Sequence, residues 1–231
     1  MKNNFGCASE MGVVSSLLAL EGVRGPEDIL DGEKGFWIMA GSDRCDFEEM
    51  TSNLGREYNI LKVCPKRYPS CAYTHIPIDA ALGVVHQYGI QTSDIEAIEI
   101  ETFERVVGGN FINPAPRNAS EAQFSIKYVV AAALLGIDTL RWQSQSTIEN
   151  ENVLKLASKI DVEEDPEATK AARDKPQRMI TRVRIRARGK WYAGSAELRF
   201  DGRVDPVPDV RDKFSKLANE VIGERVETAI E

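Results

Sequence analysis

Histidine is nearly absent from this chain. Only His75 and His86 occur among 231 residues, so a site built from several imidazoles is excluded at the outset. Four cysteines, Cys7, Cys45, Cys64 and Cys71, carry no CxxC spacing, which removes the common zinc modules and redox pairs. A chain of this size needs no disulfide to hold its core, so the four are read as free thiols in a reducing, cytoplasmic setting. Long apolar runs are missing too: nothing approaches the roughly 18 to 20 residues of a membrane span. The first twenty residues lack the charged-then-apolar layout of a signal peptide. There is no basic excess, since 29 Lys and Arg face 36 Asp and Glu for a net charge of −7. Nucleic acid is therefore a poor partner class, because phosphate binding needs a basic surface. Neither a GxGxxG after a strand nor a GxxxxGK[ST] is present, so no nucleotide cradle exists.

What is there is globular. The composition is 42% hydrophobic and 28% charged, enough for one large domain or two small ones. Residues 9–21 place Val13, Val14, Leu17 and Leu18 on one helical face, with Gly22 as the stop. Pro26 stands where a second helix would open, with acids in its first turn. Asp43 to Leu54 reads as a further helix closed by Gly55, and Pro77 opens one that ends near Gly89. Ile95 to Phe103 alternates apolar and acidic, the pattern of a half-buried strand. Ser120 to Leu135 is the strongest helical segment, and 147–159 gives another. Met179 to Arg188 and Gly194 to Phe200 alternate with period two and predict a hairpin around Gly189-Lys190. The charged run 163–175 reads as a solvated connection, and Asp209 to Ile222 as an amphipathic closing helix. The expected class is α+β.

One stretch concentrates chemistry. "KRYPSCAYTHIP", Lys66 to Pro77, gathers a Lys, an Arg, two Tyr, a Cys, a Thr and one of the two histidines. Cys64, Cys71 and His75 would offer three metal ligands, but their spacing matches no familiar module, so no metal is expected. Cys71 and His75 are also a conceivable nucleophile pair, with nothing nearby to activate the thiol. Read blandly, His75 is a satisfied polar residue at a helix entry, and His86 sits at the edge of an apolar helical face. A second loop, Gly108 to Asn118, is stiffened by Pro114 and Pro116. Its Asn113, Arg117 and Ser120 are within sequence reach of a carboxylate, though Arg117 is equally an ordinary surface arginine. Ser125 and Tyr128, one turn apart, look like helix packing.

Four segments, in order, resemble the C-terminal half of the MmgE/PrpD family, which includes 2-methylcitrate dehydratase, cis-aconitate decarboxylase and iminodisuccinate epimerase. They are "GCASEMGVVSSLLALEGVRGPEDILDGEKGFW", "KRYPSCAYTHIPIDAAL", "NPAPRNASEAQFSIKYVVAAALLG" and "VRDKFSKLANEVI". The resemblance implies a lid-type α+β domain flanked by helices of an all-helical domain that is largely missing here. Residues 1–35 would end that helical domain, 36–203 would form the lid, and 204–231 would return to the helices. A family lysine lies just ahead of the Gly6 segment, and Lys2 stands one residue short of that place. If helical cover is missing, Val13, Val14, Leu17 and Leu18, together with Phe214, Leu217 and Val221, should lie exposed.

The implied substrates are small di- or tricarboxylates, and the implied reactions break a bond beside a carboxylate with no metal or organic cofactor. Such chemistry develops negative charge, which fixed cations and donors must meet. It also needs a group that exchanges a proton near neutral pH, as imidazole does. His75 is thus the expected catalytic residue, with Lys66, Arg67, Tyr73, Thr74 and Arg117 as substrate contacts. Dehydratase or decarboxylase is the leading reading, in a truncated or split form. Epimerase or isomerase chemistry on the same scaffold, or a non-catalytic lid fragment, is the alternative. Expected partners are a small polycarboxylate and either a second copy or a separate helical half.

Overall fold

The computed structural model describes residues 4–42, 45–58, 61, 66–174, 178–199 and 210–223. The chain divides into two compact units, Met1–Leu61 and Lys62–Glu231.

The first unit holds α1 (Asn4–Leu20), α2 (Phe36–Met39) and α3 (Phe47–Thr51). α1 buries none of its residues, and Val13, Val14, Leu17 and Leu18 are all exposed, as expected. The helix expected from Pro26 does not form, and residues 27–34 make turns instead. Gly25, Gly32 and Gly35 bracket too few residues to offset the cost of nucleating a helix. The segment 43–54 keeps only α3, capped where the Asp46 side chain accepts from the Glu49 N–H at 3.0 Å. Lys2, Asp43 and Cys64 lie outside the described residues.

The second unit begins with α4 (Ala72–Tyr88), which starts five residues before Pro77. Helix starts leave their first N–H groups unpaired, so a proline six residues in removes only one early bond. Gly89 ends α4 in the left-handed conformation, φ 60°. Then follow β1 (Ile95–Thr102), α5 (Ala119–Ala122), α6 (Ile126–Leu134), α7 (Gln145–Ile148) and α8 (Glu151–Ala157). The single helix expected over 120–135 is broken at Ser125, which is extended at ψ 112°. Its hydroxyl accepts from the Tyr128 N–H at 3.0 Å, so serine competes for the backbone and restarts the helix as a cap. Likewise 147–159 is two helices, the second capped by Asn150.

The charged run near 163 proves to be structured. It contains β2 (Ile160–Glu164) and α9 (Pro166–Arg173), with Asp165 as cap and Pro166 in the first turn. β3 (Arg178–Ala187) and β4 (Lys190–Arg199) complete the hairpin, whose turn is Arg188-Gly189, one residue earlier than expected. Both turn residues have positive φ, 53° and 69°, as a two-residue turn matched to strand twist requires. α10 (Val210–Ile222) closes the described chain, with Phe214 and Leu217 exposed; the Val221 side chain lies outside what is described.

Sheet order is β2-β1-β3-β4, with β1 parallel to β2 and antiparallel to β3. This is an α+β unit. α4 packs on β3 and β4, and α6 packs between α4 and α8. Ile98, Ile100, Val183 and Ile185 point inward with Ile78, Val84, Ile126 and Val129 into one core, each contributing about 1.5–3 kcal/mol by leaving water. The opposite sheet face carries Arg184 paired with Glu99 at 2.5 Å and Arg186 with Glu96 at 3.0 Å. Among the described residues, no helix is long and apolar enough to cross a membrane.

Candidate functional site

The loop 66–71 precedes α4 and is held from three sides. The Cys71 N–H donates to the Gln123 carbonyl at 2.8 Å, and the Gln143 amide donates to the Pro69 carbonyl. The Tyr68 ring stacks on Trp142, centroids 5.6 Å apart and 10° between planes. Trp142 is itself fixed in the core at 2% exposure, its indole donating to the Ile137 carbonyl at 2.9 Å. A loop so tied is a rigid platform, which is what positions charged side chains for binding.

His75 lies in the first turn of α4, half-buried, with the Tyr68 ring edge-on at 5.2 Å. Its Nε2 is buried and has no hydrogen-bond partner. Unpartnered buried nitrogens are uncommon and ask for a reason. Burial first, and then the Lys66 charge, hold the imidazole pKa below its ordinary value; Asp79 and the Ser70 and Tyr68 backbones work the other way. The balance favours the neutral ring. Lys66 is exposed, its Nζ donating to the Ser70 carbonyl at 3.0 Å, and its own carbonyl accepts from Lys213 of α10.

Asp79, one turn along α4 from His75, organises the neighbours. It accepts from the Tyr68 hydroxyl at 2.7 Å and from the Arg67 guanidinium at 2.9 Å. Burial, with the hydrogen bond to Asp79, pushes the Tyr68 phenol far above its ordinary pKa, so it stays a donor. Tyr68 and Asp79 were not singled out as site residues from sequence. The signal was available: Asp79 falls four residues after His75, on the same helical face.

The other expected contacts diverge. Thr74 is fully buried, and its hydroxyl is used within the helix start, donating to the Cys71 carbonyl at 2.8 Å and paired with the Ser70 hydroxyl at 2.7 Å. Tyr73 turns away from His75 and packs edge-on against Phe103 at 5.4 Å, its hydroxyl accepting from Arg105 at 3.4 Å. Arg117 is solvent-exposed and ion-paired with Glu121 at 3.1 Å. The same carboxylate accepts from the Arg117 N–H at 3.0 Å and the Asn118 amide at 3.0 Å, so Glu121 knots the 113–121 turn. No contact joins Arg117 to Lys66 or His75 among the described residues. His86 is exposed in the last turn of α4, where a basic group suits the helix dipole. Ser125 and Tyr128 serve packing, as expected: Ser125 donates to the Asn113 carbonyl and the Tyr128 hydroxyl to the Trp142 carbonyl.

The site is thus a rigid corner where a neutral imidazole, an ammonium and a carboxylate-clamped guanidinium meet. It offers cations for an anionic ligand and one base. Two comparisons bear on it. The model of the MmgE/PrpD C-terminal domain matches residues 68–231. Human (Homo sapiens) cis-aconitate decarboxylase is 28% identical over 171 residues, covering 71% of this chain and 35% of that protein. The chain spans about a third of the length of that curated relative.

Proposed function

Because the chain belongs to the MmgE/PrpD family, we propose that it carries the lid-side half of a site for acid–base chemistry on a small di- or tricarboxylate. The reaction is of lyase type, dehydration or decarboxylation, with residues of a helical half completing it from a second polypeptide or a longer chain. Cis-aconitate is the first substrate to test, because a relative is a cis-aconitate decarboxylase. The observation that carries the reading is the His75 imidazole, with Nε2 unpartnered beside the Lys66 charge.

The geometry supports the following roles. With Nε2 unpartnered, the backbone interactions of His75 fall to Nδ1, leaving Nε2 the lone-pair nitrogen and hence a base. Lys66 and Arg67 meet the substrate carboxylates, Arg67 with its second edge held by Asp79. A bound dianion offsets the Lys66 field and raises the pKa of His75, so the ring takes a proton more readily with substrate present. Thr74 and Arg117 are assigned to helix start and turn rather than to substrate. No metal or organic cofactor is called for by side chains that already supply base and cations.

The test titrates the chain with cis-aconitate while the ring protons of His75 are followed by NMR, and product formation is followed in the same tube after adding a helical half. Saturable shifts at His75, weakened at least tenfold in Lys66→Ala, with carbon dioxide release lost in His75→Ala, are expected. Unmoved His75 signals at millimolar tricarboxylate would refute the reading. A second reading, binding without turnover, is favoured by the burial of Nε2, and predicts shifts with no product under any complementation. Epimerase chemistry on the same scaffold is separated by its product, which keeps every carbon.

A further inference from the structure

On the other side of the α4 first turn lies a cavity of about 400 Å³, open on one side. Its lining includes Tyr73, Phe103, Arg105, Thr169, Arg173 and Met179, drawn from α4, the end of β1, α9 and β3. The floor is apolar: Phe103 and Met179 are each 3% exposed, and the Tyr73 ring stands edge-on to Phe103. The rim is cationic. Arg173 is spent on Glu104 of the same rim, and the Thr169 hydroxyl is spent too, accepting from the Glu104 N–H at 2.9 Å and donating to Glu164 at 2.8 Å. Arg105 is different. Among the described residues its contact is the Tyr73 hydroxyl at 3.4 Å, and no carboxylate pairs with it. Two arginines against one glutamate leave the cavity one positive charge.

We infer that this cavity is a second small-molecule site, for a monoanion with a flat apolar body, such as an aryl carboxylate, held by Arg105 over the Tyr73–Phe103–Met179 floor. A guanidinium presents a planar fork that matches a carboxylate with two parallel hydrogen bonds. Aromatic and thioether surfaces receive a ring by edge and sulfur contacts. The volume falls within the range of small-ligand pockets, roughly 300–1,000 Å³, and suits a single-ring acid. The site stands apart from the His75 corner and needs no part of that proposal. The two share α4, whose first turn sends Tyr73 toward Phe103 and His75 toward Tyr68. An occupant gripping Tyr73 steadies the turn that carries His75.

The test uses the full chain, labelled at its methionine methyl groups and titrated at neutral pH with phenylacetate and, separately, with uncharged phenylacetamide. Met179 is the methionine that lines the cavity; Met11, Met39 and Met50 belong to the other unit. Phenylacetate is expected to shift the Met179 methyl saturably and leave those three unmoved, and phenylacetamide to bind at least tenfold more weakly. Arg105→Gln should weaken phenylacetate at least tenfold with an unchanged melting temperature, whereas Lys66→Ala should leave it unchanged. Ala172 of α9 also lines the cavity, and Ala172→Phe, designed to fill it, gives a second route to the same loss should Arg105→Gln prove unstable. The inference is overturned by a silent Met179, by equal binding of acid and amide, or by binding lost in Lys66→Ala and kept in Arg105→Gln.

Discussion

Removing the Asp79 carboxylate tests whether the corner is a built network or a chance gathering of side chains. Asp79→Ala strips the acceptor from a Tyr68 hydroxyl at 2.7 Å and the partner from Arg67 at 2.9 Å. A buried hydroxyl left without its acceptor costs about 1–3 kcal/mol, and Tyr68 is only half-buried, which selects the lower part, about 1.5 kcal/mol. The Arg67–Asp79 pair is 46% and 34% exposed, so water screens it and its loss adds about 0.5 kcal/mol. The expected total is about 2 kcal/mol, or a fall of roughly 4–8 °C in Tm for a unit of this size. Tyr68→Phe keeps the ring against His75 and Trp142 and should cost about 1.5 kcal/mol alone. Because both variants delete one bond, the double variant should cost about 1–1.5 kcal/mol less than the two single losses added. Urea unfolding of the four proteins measures that coupling. Additivity within about 0.5 kcal/mol would refute the network. The His75 ring offers a second readout: Asp79→Ala removes a charge that raises its pKa, so NMR titration should move the midpoint further down.

Other outcomes follow from the same geometry. In a protein completed by its helical half, His75→Ala should slow turnover by roughly 10²–10⁴, the span of a lost general acid or base, while Lys66→Ala should chiefly raise KM; steady-state kinetics separates the two. The folded pKa of His75 is lowered, so the unfolded chain binds its proton first as pH falls. Stability should be full above the ordinary histidine range, about pH 6.5, and decline from there until the folded pKa is passed; thermal melts of His75→Gln should show a flatter slope across that window. Gly194 faces α4 from β4, and a methyl there would stand 2.7 Å from Val84 Cγ2, so Gly194→Ala should cost about 1–3 kcal/mol and be partly rescued by Val84→Ala in chemical denaturation. Dialysis against a chelator should leave both melting temperature and carboxylate binding unchanged.

Where alternation or a wide apolar face met the core, the sequence was readable. β3 buries every second residue, β1 does so from Ile98 onward after an irregularity near Ile95, and the span of α6 shows as continuous apolar surface. What escaped was governed by hydrogen bonds rather than by hydrophobicity. β2 lies at a sheet edge with only Ile160 fully inward, so its acids hide the strand. α9 buries just Ala168 and Thr169, too little apolar surface to show through its charges, although Asp165-Pro166 marked its start. Ser125 reads as an ordinary helix residue until its backbone opens. At the site, His75, Lys66 and Arg67 were legible as a concentration of charge. Their coupling through Tyr68 and Asp79 was not, nor was the parting of Tyr73 and His75, because both depend on where Pro77 sits within α4 rather than at its head.

The strand order has a consequence for how the chain acquires its shape. β1 is central, yet its partners are synthesised long after it: Ile98 must meet Ile160 on one side and Ile185 on the other. Until the hairpin of β3 and β4 emerges, α4 lacks the strands it lies on, and its first turn is held only by neighbours earlier in the chain than β3, such as α6 and the Trp142 ring against Tyr68. Closing such distant contacts is slow, because chain entropy is surrendered before the pairings return anything. The cavity, which takes Met179 from β3, should therefore be a late event of folding, and a nascent chain halted before β3 would hold the contacts of the corner without the cavity on the other side of α4.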